Sequence, residues 1–510
     1  MTRVVIIGGG SGGLSAAIRL AAAGCEVTVL ERAAQVGGKM RGLAVAGRII
    51  DSGPTVFTMR WVFDELFAAS GSDLAAHVTL TPLEVLARHA WDAGSQFDLF
   101  ADEERTVAAI GAFAGAAEAR RYRTFCADSR RIFELLERPF LRRARPSLPA
   151  LLTAGGVRGA LAMRHIEPFT TLWRGLGRYF HDGRLRQLFA RYATYCGASP
   201  FAAPATLMLV AHVERAGVWS VAGGLGALAA ALAARATALG AVIRTGTEVA
   251  EVGIGGGRVR GVRLASGEHL AADAVIVNAD VSALGDGRFG KAVRRAVAPV
   301  PRRARSLSAM TFSCVGAARG FPLARHNVFF SGDYRAEFDA LGRGAMPADP
   351  TVYVCAQDRD DGEAVADGAP ERLLLLINAP ANGDSHAYDA REVDQCAQRT
   401  LTRLQQCGLD LTMAPADRLP TTPADFARLF PATGGALYGR SSHGWTASFR
   451  RPGVRTVIPG LYLAGGSSHP GPGVPMAALA GQSAAQALLS DRISAARSAP
   501  MAMRGGMSTR

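Results

Sequence analysis

The chain opens on a four-residue apolar run, Val4 to Ile7, bounded at once by glycine. A run that short reads as a buried strand. Leu14, Ile18 and Ala21 then recur at helical spacing, predicting a helix over 15–23 that Gly24 closes. A second apolar run, Val27 to Leu30, predicts another strand and ends at Glu31. Ile49 and Ile50 read as strand before a helix starting near Arg60. An Ala/Leu-rich segment after Gly223 and Gly224 predicts a helix feeding a strand that ends over 245–249. Residues 257–280 alternate like a hairpin turning at Ser266-Gly267, with a buried strand following over 274–278. Near the C-terminus "LYLAG" reads as strand, and a glycine- and proline-rich turn leads to a helix from about Met476.

Elsewhere the period changes. Between about 290 and 430, "SAMTFSCVGAA", "NVFFSG", "TVYVCAQ" and "RLLLLINAP" are strand-like runs separated by long polar segments. Residues 95–205 read as mostly helical and rich in aromatics. The pattern predicts an α/β protein with a Rossmann-like domain, discontinuous over 1–75, 215–290 and 445–492. A helical cap that faces the membrane is expected over 95–214, a mixed-sheet substrate domain over 291–444, and a disordered tail over 495–510.

The first repeat carries specific chemistry. Gly8, Gly10 and Gly13 form G-x-G-x-x-G between strand and helix. Gly8 permits the tight turn, Gly10 lets main chain approach a pyrophosphate, and Gly13 lets the helix pack on the strand. The helix start offers free N–H groups to phosphate, and Glu31 is placed to accept from a ribose diol.

With 510 residues, 49% of them apolar and 20% charged, the chain has the composition of a folded globular protein. Charges or glycine clusters interrupt every long apolar window, so no spanning helix is expected. The opening glycines likewise argue against a secretory signal, and a cytoplasmic location is expected. Seven scattered cysteines without a C-x-x-C suggest free thiols and no metal. The net charge is +14, with Lys39 and Lys291 the only lysines. No basic stripe interleaved with aromatics suggests nucleic acid. Anionic lipid headgroups are the better match, and "RRIFELLERPFLRRARPSLPALL" (130–152) suits a helix lying in a membrane interface.

Gly37-Gly38, just after Glu31, resembles the glycine pair of many FAD enzymes of the glutathione-reductase-like class, which makes the Rossmann-like domain an FAD-binding one. Four motifs, in order, carry a further resemblance: "DSGPTVFT" (51–58), "YCGASPFAAPA" (195–205), "GVWSVAGGLGALAAALA" (217–233) and "GGSSHPGPGVPMAALAG" (465–481). Together they resemble the bacterial phytoene desaturase family of FAD-dependent carotenoid desaturases, over nearly the whole chain. "GPTVFTMRWVFDEL" and "GPGVPMAAL" look closest to its 1-hydroxycarotenoid 3,4-desaturase branch. Lys39 departs from the arginine usual after the glycine pair.

The resemblance implies a bound FAD and an apolar C40 carotenoid substrate drawn from the bilayer by a monotopic protein at the inner membrane. Two hydrogens leave adjacent carbons, and a quinone or oxygen is the expected final acceptor. It also implies that Gly38 and Lys39 lie near the pyrophosphate and that Val249 meets the adenine. Gly465 and Gly466 are expected to let main chain approach the ribityl–phosphate arm, and Gly473, Val474 and Pro475 to start a helix aimed at the flavin ring. The proton-handling candidates are Arg440, His443 and His469. Two sister activities, phytoene desaturation and carotene isomerisation, fit the same motifs. A non-catalytic isoprenoid carrier would not need the complete fingerprint, and an amine oxidase would want an aromatic cage that the segment after Tyr462 does not supply.

Overall fold

The computed structural model describes residues 1–145, 169–359 and 365–498. The expected disordered tail falls on 499–510, outside the described residues. Its first residues do not behave as expected, because the C-terminal helix Val474–Ser498 continues through 495–498. The proposed interfacial helix over 130–152 also runs partly outside them. Within them, the helix Ala116–Leu136 gives way to a π turn over Glu137–Leu141.

Among the described residues, the first sheet holds five parallel strands. Their order is Leu461–Leu463, Ala274–Val277, Arg3–Ile7, Glu26–Leu30 and Val242–Arg244. The second strand of the Ala-rich unit therefore stops at Arg244, short of the expected 249, and Val249 opens a separate strand, Val249–Gly255. That strand pairs with Arg258–Leu264, which pairs with His269–Ala271 across the expected Ser266-Gly267 turn. Residues Val4–Ile7 and Ala274–Val277 of two central strands are all buried, and so they read as continuous apolar runs. Helix Ser11–Ala22 lies on this sheet with Leu14, Ile18 and Leu20 fully buried.

The larger sheet is mixed. Ser308–Arg319 pairs antiparallel with Pro370–Ala379, Asp410–Thr412 and Arg418–Thr421. The sheet continues through Val352–Ala356 to His326–Phe329, which runs parallel to Val85–Asp92, and ends at Ser95–Phe100. Residues 95–100 are thus strand where helix was expected. Helix begins at Glu103 and returns over Leu172–Leu176, Gly183–Ala190 and Leu209–Arg215. Asp51, at the end of strand Arg48–Asp51, accepts from Leu225 N at 2.8 Å and so ties the "DSGP" turn to the start of helix Gly224–Ala238.

Candidate cofactor and substrate site

The two ends of the chain meet at one seam. A Cβ on Gly12 would stand 2.6 Å from Asn278 Oδ1, 2.7 Å from Ala477 O and 2.8 Å from Gly465 N. A Cβ on Gly13 would collide with Gly8 O, so glycine there is what lets the first helix lie on its strand. On the opposite side Gly481 faces Gly12 O just as closely. Two helices therefore touch main chain to main chain, with the strand end Asn278 between them.

Around that seam the sequence-predicted residues converge. The Glu31 carboxylate accepts from Gly9 N at 2.7 Å and Ala33 N at 2.8 Å, which fixes it at the strand end. Gly10 forms a parallel bridge with Gly37, and Gly38 packs against Gly10 Cα. From the other end come Gly465 (φ +92°), Gly466 and Gly473 (φ +117°), conformations that favour glycine at the first and last. Helix Val474–Ser498 then starts with Pro475 in its first turn, slightly earlier than the expected Met476. Gly8, Gly10, Glu31, Gly38, Lys39, Val249, Gly465, Gly466, Gly473, Val474 and Pro475 all line one cavity of about 1530 Å³. Gly13 stands behind it as a packing residue.

Two cations, half-buried Lys39 and buried Arg451, face this region. Lys39 donates to Leu437 O and lies 5.0 Å above the Phe430 ring. Burial lowers its pKa, opposed by Asp280 and reinforced by Arg451. Arg451 donates to the carbonyls of Arg440 (2.6 Å), Tyr438 (3.0 Å) and Gly466 (3.3 Å), and burial lowers its pKa too. Sequence reasoning missed both Arg451 and Asn278. In so arginine-rich a chain nothing marks Arg451, and Asn278 is marked only by ending a buried apolar run.

These residues fit an FAD. The wall beside the first helix is bare main chain, and Gly10 lends no side-chain cap to that helix, whose first amides remain for a phosphate. Asn278 donates through Nδ2 to Gly8 O, while its buried Oδ1 has no donor among the described residues. Such a group is a natural partner for a bound ligand.

The same cavity continues beyond the cradle. Val56, Leu207, Val210, Val213, Val328 and Leu376 give it apolar walls. Polar clusters interrupt them. Tyr353 Oη bonds Thr55 Oγ1 (2.6 Å) and His326 Nδ1 (2.7 Å). Glu337 accepts from the Thr351 hydroxyl at 2.6 Å. At the mouth Phe169 and Trp445 pack edge to face at 5.4 Å while 79% and 41% exposed.

The three proton-handling candidates do not reach this wall. His443 Nε2 accepts from Ser199 N at 3.0 Å, and burial lowers its pKa. His469 Nε2 donates to Phe140 O at 2.7 Å, with its pKa pushed down to about 4 by burial. Arg440 offers its carbonyl to Arg451, and its main chain bridges to Arg305. Among the described residues no histidine lines the cavity.

The sequence model of the flavin containing amine oxidoreductase family matches residues 11–489. The chain belongs to this family. An oxidoreductase from Methanosarcina mazei shares its fold with a TM-score of 0.60 at 17% identity, over 95% of this chain and all of that one. A putrescine oxidase variant does so at 0.58 and 15%, over 96% and 99%. Nearer in sequence are two proteins named hydroxyneurosporene desaturase. That of Rubrivivax gelatinosus is 52% identical over all of this chain and 97% of its own, and that of Cereibacter sphaeroides is 46% identical over 97% and 99%.

Proposed function

We propose that the protein is an FAD-dependent carotenoid desaturase that introduces the C-3,4 double bond into 1-hydroxycarotenoids of the hydroxyneurosporene type. The observation that carries this reading is the continuity of a single cavity from the glycine cradle into an apolar tunnel. Its volume exceeds that of an ordinary small-ligand pocket, as a long polyene bound beside a dinucleotide requires.

FAD, when bound, supplies the two-electron oxidation that removes a hydride and a proton from adjacent carbons. Gly8, Gly10 and the first helix hold its pyrophosphate, Glu31 its ribose and Val249 its adenine. Lys39 would add charge beside the pyrophosphate, Gly465 and Gly466 would meet the ribityl–phosphate arm, and the helix start at Gly473 to Pro475, with buried Arg451, would favour negative charge at the ring. The apolar walls orient the polyene and exclude water. The exposed aromatic mouth at Phe169 and Trp445 docks on the membrane surface from the cytoplasmic side. Among the described residues no helix is long and apolar enough to cross a membrane. Membrane quinone or oxygen takes the two electrons onward.

Purified protein should carry a flavin absorption spectrum and, with quinone-containing liposomes, convert hydroxyneurosporene to a red-shifted product with a new double bond at C-3,4. Phytoene supplied in parallel should remain. Protein without flavin absorption, or efficient conversion of phytoene, would overturn the proposal.

A further inference from the structure

The apolar half of the cavity holds a dense polar cluster that hydride and proton removal do not use. Arg191 is 5% exposed and Glu214 2%, and both line the cavity. Glu214 accepts from Tyr195 Oη at 2.8 Å and from Tyr192 Oη. Arg191 Nη2 stands 3.6 Å from Glu214 Oε1, an ion pair too long for a hydrogen bond. The guanidinium lies 5.0 Å from the centre of the Tyr195 ring. Its Nε and Nη2 have no acceptor among the described residues. On the same wall Tyr334, 6% exposed, carries a hydroxyl that is likewise unpartnered.

Buried donors left without acceptors are costly. A polyene chain cannot relieve them, because it has no lone pair to offer. A tertiary alcohol can, since its oxygen accepts and its hydrogen donates. In a 1-hydroxycarotenoid the alcohol carbon lies only two bonds from C-3. Any group that binds the alcohol must therefore sit beside the reacting carbons, at the cofactor end of the tunnel.

The cluster lies there. Tyr353 is hydrogen-bonded to Thr55, two residues after Gly53, and a Cβ on Gly53 would run into Lys39 O of the cradle. Burial pushes the Tyr353 phenol upward, and nearby Cys355 and Tyr195 add to the shift. Gly197, two residues after Tyr195, lies against the Tyr438 ring, and the Tyr438 carbonyl accepts from Arg451, which also donates to Gly466 O of the glycine turn. Arg191 in turn lies within electrostatic reach of Tyr334, whose phenol burial and Glu337 raise and Arg191 lowers.

Resting on the desaturase reading, we infer that Arg191 and Tyr334 form a hydroxyl-binding subsite, with Glu214 and Tyr195 as its supports, that holds the C-1 alcohol and sets the register at which C-3 and C-4 meet the cofactor. The alcohol oxygen accepts from Arg191 and the alcohol hydrogen goes to Tyr334 Oη. Arg191 and Tyr334 are the specificity determinants; Glu214 and Tyr195 are positioning residues that hold the guanidinium over the tunnel. A carotenoid lacking the alcohol leaves guanidinium N–H donors without an acceptor, which is how a site built to bind a hydroxyl rejects its deoxy analogue.

The test compares kcat/KM for hydroxyneurosporene and for the same carbon skeleton without the hydroxyl. It adds anaerobic binding of the 3,4-desaturated product, which does not turn over. Arg191→Met alone would strand Glu214 as an unpaired buried charge, so it is combined with Glu214→Gln. Tyr334→Phe, which removes one oxygen, serves as the second variant, and each is checked for retained flavin absorption. The selectivity ratio should fall about 100-fold in the double variant and about 10-fold in Tyr334→Phe, with weaker product binding in both. If the double variant loses its flavin, Tyr334→Phe decides. Both substrates slowing together, with the ratio and product affinity preserved, would overturn the subsite. Wild-type protein converting neither carotenoid would instead remove the desaturase reading, and the subsite with it.

Discussion

On the side where the chain ends meet, the cavity wall is main chain: Gly8, Gly10, Gly12 and Gly38 from the N-terminal end, Gly465, Gly466 and Gly473 from the C-terminal end. On the side formed by residues 191–214 and 334–378 the wall is side chains, apolar ones broken by phenols, the Glu214 carboxylate and the Arg191 guanidinium. The first wall works by what is missing, since each absent Cβ leaves room for a cofactor or a crossing helix. The second works by pairing, since each buried polar group there needs a partner. Additions should therefore destroy the first wall, whereas deletions in the second should change selectivity and pH response while the fold survives.

Gly12→Val should have the largest effect. Its Cβ would meet a side-chain oxygen and two main-chain atoms of Asn278, Ala477 and Gly465, none of which is a flexible tip. The seam can yield only by parting the two helices, and a loss above about 4 kcal/mol is expected. Expression should give little soluble protein and no flavin absorption. Val210→Ala on the other wall removes two methyl groups beside open space and should lower stability by only about 1–2 kcal/mol. A thermal melt in which the two variants lose equally would break the comparison.

How much of each wall the sequence shows follows from the same difference. Gly8, Gly10, Gly13 and Glu31 are legible because their reasons are local: a turn, a helix start and a strand end within one short unit. Gly12 and Asn278 are not, because what crowds them lies in the C-terminal segment, and only the folded seam brings them together. The strand Val85–Asp92 was hidden for another reason. Arg88 and His89 interrupt its apolar pattern, and the bidentate pair from Arg88 to Asp98 on the neighbouring strand makes the charge tolerable. Its partner Ser95–Phe100 is strand where the sequence predicts helix, because the pairing that makes it strand lies across the turn and not in the run itself. The polar cluster at Arg191 is least legible of all, since an arginine in an aromatic-rich helical stretch looks like surface until Glu214 and the tyrosines close around it.

Glu337, which stands behind the second wall and holds Thr351 and Asn378 of its lining, should give an intermediate effect. Burial raises its carboxyl to about 7, against an ordinary 4.5, with the hydrogen bonds from Thr351 and Asn378 pulling the other way. A carboxyl raised by folding holds its proton better in the native state. Its contribution is fully present below pH 4.5 and is lost as pH rises through about 7. Glu337→Gln keeps the shape without the titration. The stability of wild type relative to this variant should fall by roughly 2–3 kcal/mol from the acid to the alkaline side of that window. Melting both proteins from acid to mildly alkaline pH checks it, and a constant difference would show that Glu337 does not titrate there.

His469 should have only a small effect on turnover, although the sequence offers it as a catalytic group. Folded against the rings of Phe140 and the C-terminal turn, it is fully buried, and its pKa of about 4 leaves it neutral at physiological pH. In that form Nε2–H donates to Phe140 O, so the imidazole pins the residues of the π turn, which reach the cavity, to the glycine turn of the cofactor wall. Proton transfer through a positioned histidine is typically worth about 10²–10⁴-fold in rate. A pin is worth the hydrogen bond it makes, about 1–3 kcal/mol if the carbonyl is left unpaired. His469→Leu should accordingly lower the melting temperature modestly, slow turnover by less than about tenfold and leave the shape of the kcat–pH profile unchanged. His469→Gln, which can still donate from its amide, should recover most of the stability. A drop of a thousandfold in His469→Leu with the melting temperature intact would place the histidine in the chemistry after all, and would move the reacting carbons toward the main-chain wall.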